Sequence, residues 1–129
     1  MAARLDRLKV RADFLRVAAL RRKWAAPGLI LQAAPATGTE SQADSLRVGF
    51  TVSKKVGNSV CRNRARRRLR AAVAEVFPAH ASPGIDYVVI GRRETLDRPY
   101  SLLLQDLLAA LKRVGALRKT APAKEQGEA

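Results

Sequence analysis

An α+β fold is predicted by three observations. Stretches with helical periodicity alternate with stretches of period two, Pro and Gly mark most of the boundaries, and 47% hydrophobic residues in a chain of 129 supply material for one core. The expected order is helix, strand, strand, helix, strand, helix, a small α/β sandwich with room for an additional strand near Val56. A chain of this length buries about two-thirds of its unfolded surface. A single domain is therefore expected over residues 1–118, followed by a flexible polar tail from Lys119 to Ala129.

Arg11 to Lys23 reads as the first helix, because Phe14, Val17, Ala18 and Arg21 share a face and Leu15, Ala19, Leu20 and Trp24 lie beside it. Pro27-Gly28 is its expected stop. Leu29 to Ala33 is a short apolar strand closed by Pro35, and TGTESQADS (Thr37 to Ser45) reads as a mobile connection. Leu46, Val48, Phe50 and Val52 then alternate with Arg47, Gly49, Thr51 and Ser53, a strand with one face in the core. Gly57-Asn58 signals a turn, with Asn58 or Ser59 placed to cap a helix that Pro78 should end near Phe77. Ile85 to Ile90, between Gly84 and Gly91, has the continuous apolar run of a central strand. Pro99 suits the first turn of a last helix carrying Leu103, Leu107, Leu108 and Leu111, which Gly115 ends.

Charge limits the function. Lys and Arg number 25 against 11 Asp and Glu, a net charge of +14, which favours a polyanionic partner. The single Cys61 rules out an intrachain disulfide framework, and with only His80 beside it there is no Cys/His zinc site. A reducing, cytoplasmic setting is expected, with neither a signal peptide nor a membrane span. Nine basic residues and no acid lie between Ser45 and Ala74: Arg47, Lys54, Lys55, Arg62, Arg64, Arg66, Arg67, Arg68 and Arg70.

Wound as a helix, residues 59–77 place Cys61, Ala65, Leu69, Ala72 and Val76 on one side. Arg62, Arg66 and Arg70 follow one another at i, i+4, i+8, with Asn63 and Arg67 on the same arc, Arg64 on its flank and Arg68 snorkelling beside the apolar stripe. Like charges at this spacing cost a few tenths of a kcal/mol per pair. A solvated face would normally mix in Glu; an Arg-only face points to phosphate, which guanidinium forks grip with two hydrogen bonds. A membrane-surface helix would carry large apolar residues opposite its charges, where this one has Ala, Cys and Leu. Cys61 is expected in the core, His80 on the surface, and Gly57 lacks the companions of a nucleotide-binding loop.

The string SKKVGNSVCRNRARRRLRAA, Ser53 to Ala72, closely resembles the signature of the protein subunit of bacterial ribonuclease P: a strand ending S-K-K, a G-N turn and a helix opening R-N-R. RVGFTVSKK (Arg47 to Lys55) resembles the strand that leads into it, RLKVRADFLRV (Arg7 to Val17) the family's first helix, and Tyr87 to Ile90 with the Leu-rich last helix complete the match. The resemblance implies the α+β fold of the second domain of the fifth small-subunit ribosomal protein. It also implies a subunit that, with a catalytic RNA, removes the 5′ leader of precursor tRNA by Mg2+-dependent endonucleolytic hydrolysis. The RNA would hold the catalytic groups and most of the Mg2+, and the protein would supply no metal ligand; no carboxylate cluster with metal-ligand spacing is visible in the sequence either.

By the same resemblance, Lys54, Lys55, Asn58, Arg62, Asn63, Arg64, Arg66, Arg67 and Arg70 would bind the catalytic RNA. The cleft between the first helix and the sheet would take the single-stranded leader through Lys9, Arg11, Phe14, Arg16, Ile30 and Gln32. Ala18 and Gln32 stand where the family often has aromatics, so stacking on the leader is expected to be weaker. The expected partners are the catalytic RNA and precursor tRNA, with no DNA, membrane or additional protein required. The alternative is a ribosomal-type structural RNA-binding protein. A DNA-reading helix would need mixed base-reading side chains, which are not evident.

Overall fold

The computed structural model describes residues 4–36 and 45–117. Its centre is built by two strands, Ser45–Thr51 (β4) and Ile85–Gly91 (β5), which run parallel and are joined by the long helix Ser59–His80 (α2). A parallel pair needs a crossover of this size. Outside β4 lies the parallel strand Arg4–Arg7 (β1); beyond β5 come the antiparallel strands Leu29–Pro35 (β3) and Lys23–Ala25 (β2). The five-stranded order is β1-β4-β5-β3-β2. A short helix, Arg11–Ala19 (α1), covers one face, and α2 with Tyr100–Arg113 (α3) covers the other.

Alternation sorts the side chains between these faces. Leu46 and Val48 of β4, Leu29, Leu31 and Ala33 of β3, and Tyr87 and Val89 of β5 are buried with Ala65, Leu69, Ala72, Val73, Val76 and Phe77 of α2 and Leu103, Leu107 and Leu111 of α3. Each fully buried Leu or Phe contributes about 1.5–3 kcal/mol. Phe77 and Tyr87 meet edge to face, centroids 4.9 Å apart. Under α1 the second cluster is smaller: Leu8, Val17, Ala34 and Val88, with Phe14 and Ile90 packed against it.

A polar network locks the β2–β3 turn. Asp106 of α3 takes two hydrogen bonds from Arg98, at 2.8 and 3.0 Å, and one from the Gly28 amide at 3.0 Å. Thr95 donates to the Gly28 carbonyl, and Arg92 to that of Ala26. Tyr100 Oη donates to Glu75 at 3.0 Å, tying α3 to α2; partial desolvation and that carboxylate raise its pKa.

The predicted class holds, with local corrections. The first helix stops at Ala19, not Lys23, because Arg21 adopts φ 57° and turns the chain into β2. Trp24 is therefore a strand residue, and Pro27-Gly28 makes the hairpin turn rather than a helix stop. Pro35 ends β3 as a member, paired only with Ile85, because β2 reaches no farther than Gln32. The additional strand is not near Val56. Lys54–Val56 forms a 3-10 turn, held by Ser53, which accepts from the Lys55 amide at 3.3 Å; the unforeseen strands are β1 and β2. Pro78 lies inside α2, which runs to His80, so His80 is a half-buried helical residue and not one of a surface loop. Proline deprives only one carbonyl near the helix end of its partner, and burial of Val76 and Phe77 holds the turn. Ser45 opens β4; residues 37–44 and the tail 119–129 lie outside the described residues.

Candidate nucleic-acid interface

Two surfaces carry the predicted residues. The first is the start of α2. Gly57, at φ 151°, has no room for a side chain, since a Cβ would lie 2.8 Å from that of Cys61. It sets Asn58 as N-cap, whose Oδ1 accepts from the Cys61 amide at 3.0 Å. The remaining free amides of the first turn and the positive helix end face the same region as the arginines.

Asn63, Arg64, Arg67 and Arg70 are exposed, while Arg62 and Arg66 are half-buried along the helix. Arg66 donates to Asn63 Oδ1 at 3.3 Å, and Arg62 reaches Ser59 Oγ at 3.5 Å. Among the described residues none of these guanidiniums is paired with a carboxylate. Lys54 and Lys55 are exposed on the 3-10 turn immediately before the cap. Arg68, expected to snorkel to solvent, is instead half-buried with its guanidinium turned inward, donating to the Arg98 carbonyl while its Nε is buried without a partner. Arg70 caps the Phe50 ring at 5.8 Å, beside a cavity of about 250 Å³ between β1, β4 and α2. Arg93, missed in the sequence, joins the patch from the turn after β5, donating to the Lys55 carbonyl at 3.2 Å. Its signal was hidden because the contact spans nearly forty residues of chain.

The second surface is the sheet face beside α1. The register sets Gly49, Val88 and Gln32 in one row across β4, β5 and β3, and Thr51, Ile90 and Ile30 in the next. Phe14 lies half-buried against Gly49: a Cβ there would come within 2.4 Å of the ring. Lys9 and Arg11 are exposed at the entrance to α1, and Ile30 and Gln32 are half-buried on the sheet. Ala18 is exposed. Arg16 differs. It pairs with the fully buried Asp86 and with Asp13 at 3.5 Å, and donates to the Pro35 carbonyl at 2.9 Å, so its charge is matched within the protein. Arg47 completes the network, 2.7 Å from Asp13 Oδ2 and 3.3 Å from Asp86 Oδ1. These four residues clamp α1 to β4 and β5, and thereby set where Phe14 stands.

A sequence model described as Ribonuclease P matches residues 2–115. The ribonuclease P protein component of Paramagnetospirillum magneticum is 91% identical over 120 residues, covering 93% of this chain and 90% of its own. The chain belongs to the ribonuclease P protein family. The component from Gluconacetobacter diazotrophicus is 49% identical over 115 residues, covering 89% and 96% of the two chains. Among solved structures, the RNase P protein of Staphylococcus aureus superposes with a TM-score of 0.68 at 28% identity, over 87% of this chain and 97% of that one. The RNase P protein of Thermotoga maritima, at 24% identity and TM-score 0.65 over 81% and 93%, agrees in fold. Within the ribonuclease P family frame, the S-K-K and R-N-R elements fall on the 3-10 turn and the first turns of α2, and the Asp-Phe pair on α1. Cys61 is half-buried and free.

Proposed function

We propose that the protein is the RNA-binding subunit of a ribonuclease P holoenzyme, in which a catalytic RNA removes the 5′ leader of precursor tRNA. The observation that carries this reading is the unpaired arc of Arg62, Arg64, Arg66, Arg67 and Arg70 beside Lys54 and Lys55 at a helix N-terminus, in a chain of this family. Held by its cap and by the core beneath it, the arc presents guanidinium forks in fixed relative positions to phosphates of a folded RNA. Asn58 shapes the turn that aims it, and Asn63 adds a polar contact. The α1 face is the leader site. Phe14 offers its half-buried ring to an unpaired base, Ile30 and Gln32 form the floor, Lys9 and Arg11 meet its phosphates, and Arg16 positions α1.

Among the described residues no three His, Cys, Asp or Glu side chains converge in a way that could hold a metal ion. On this reading the RNA would hold most of the Mg2+, which would supply activation of the hydrolytic water and stabilisation of the leaving oxygen. The protein then acts by neutralising RNA charge and retaining the substrate. A cytoplasmic ribonucleoprotein is the setting this reading gives; no helix among the described residues is long and apolar enough to cross a membrane. Reconstitution with the cognate catalytic RNA at low Mg2+ tests it. The protein should stimulate cleavage at the mature 5′ end and be inactive alone; absence of stimulation would favour a ribosomal-type RNA-binding role.

A further inference from the structure

The row Gly49, Val88, Gln32 does not end at β3: the register continues it to Lys23 on the edge strand β2. With strands about 4.8 Å apart, the row crosses roughly 15 Å from the Phe14 ring to the sheet's edge. The next residue of β2, Trp24, faces the opposite, α3 side of the sheet, so a strand following the row reaches it by rounding the edge. It is 39% exposed, belongs to neither apolar cluster, and has the Arg113 guanidinium 4.9 Å from its ring centroid. Arg22 fixes this arrangement by donating to the carbonyls of Val114 (2.5 Å) and Gly115 (3.1 Å), which brings the start of β2 against the end of α3. Arg21, Lys23 and Lys112, close in sequence to Trp24 or Arg113, are exposed, and there is no Asp or Glu in residues 14–36 or 107–117.

We propose that Trp24 and Arg113, with Arg21, Lys23 and Lys112, form a second single-stranded RNA site that takes the distal part of the precursor's 5′ leader as it leaves the α1 face. This rests on the leader reading above. A partly exposed indole backed by a guanidinium, at an edge whose chain segments carry cations and no acids, is the chemistry that stacks an unpaired base and screens its flanking phosphates. An apolar protein partner would gain nothing from these four charges. Continuity with the Gly49–Lys23 row selects the leader rather than a distant segment of RNA. The site lies at the opposite edge of the sheet from β1, so it is separate from the arginine arc of α2.

The test compares two precursor tRNAs in the reconstituted holoenzyme, identical except that one leader ends on the α1 face and the other is extended by unpaired nucleotides. Trp24→Ala should weaken binding of the extended precursor about tenfold, within the range of one base–aromatic stack, and leave the short one unchanged. Trp24→Phe should restore most of the loss. Lys23→Glu, an exposed change that leaves the packing alone, should weaken the extended precursor selectively even if Trp24→Ala fails to fold. Equal losses on both precursors would show a merely structural role and overturn the proposal. Full retention of extended-leader affinity in every variant would overturn it as well. Failure of the wild-type holoenzyme to cleave the short precursor would instead refute the functional reading itself.

Discussion

Gly49 and Phe14 show how one methyl group can separate binding from packing. A Cβ at Gly49 would lie 2.4 Å from Phe14 Cζ and 3.1 Å from Leu8 Cβ, so the ring must move. Gly49→Ala should cost about 1–3 kcal/mol by overpacking, read as a lowered denaturation midpoint, and should weaken precursor binding with it. Adding Phe14→Ala to Gly49→Ala should return part of that stability, because the two changes share one contact. Phe14→Ala alone should cost about 1–3 kcal/mol of precursor affinity while sparing mature tRNA; equal loss for both tRNAs would leave Phe14 an anchor of α1 only. The arginine arc was legible because its information is local: charges at i, i+4, i+8 announce a face before any fold is known. Arg16 was not. Its meaning comes from Asp86, seventy residues away, and only the packing of α1 on β5 brings the two together.

At the scale of elements, two buried carboxylates hold what the sheet alone does not. Asp86→Ala would leave Arg16 and Arg47 to share Asp13 alone under α1 and should cost about 1.5–3 kcal/mol in chemical denaturation. Precursor affinity should fall while affinity for the catalytic RNA persists, since α2 packs on the other face. An equal fall in both would mean that the clamp supports the whole domain. Asp106→Ala removes hydrogen bonds from Arg98 and the Gly28 amide and should cost roughly 1.5–3 kcal/mol without altering the arginine arc. The long elements were legible, α2, α3 and β4 from periodicity and β5 from its continuous apolar run between glycines. The strands β1 and β2 were not, because RLDR and KWA carry no alternation of their own and exist through pairing with β4 and β3. The end of α1 was overrun for a related reason: its apolar pattern continues past Ala19, but pairing of Lys23 to Ala25 with β3 outweighs another turn of a marginal helix.

Across the whole molecule, a net charge of +14 is not spread for solubility but presented in places. The five-stranded sheet gives α2 one face to pack on, leaving its arginines outward, and leaves the opposite face for α1 and, on the proposed reading, a single strand of RNA. Binding by such a patch releases counterions, so affinity must fall with salt in proportion to the phosphates neutralised. The direct measurement is the salt dependence of protein binding to the catalytic RNA for wild type and for Arg64→Ala with Arg67→Ala. The double variant should bind more weakly and with a log–log slope shallower by about two, one for each lost phosphate contact. An unchanged slope would place the RNA on another surface.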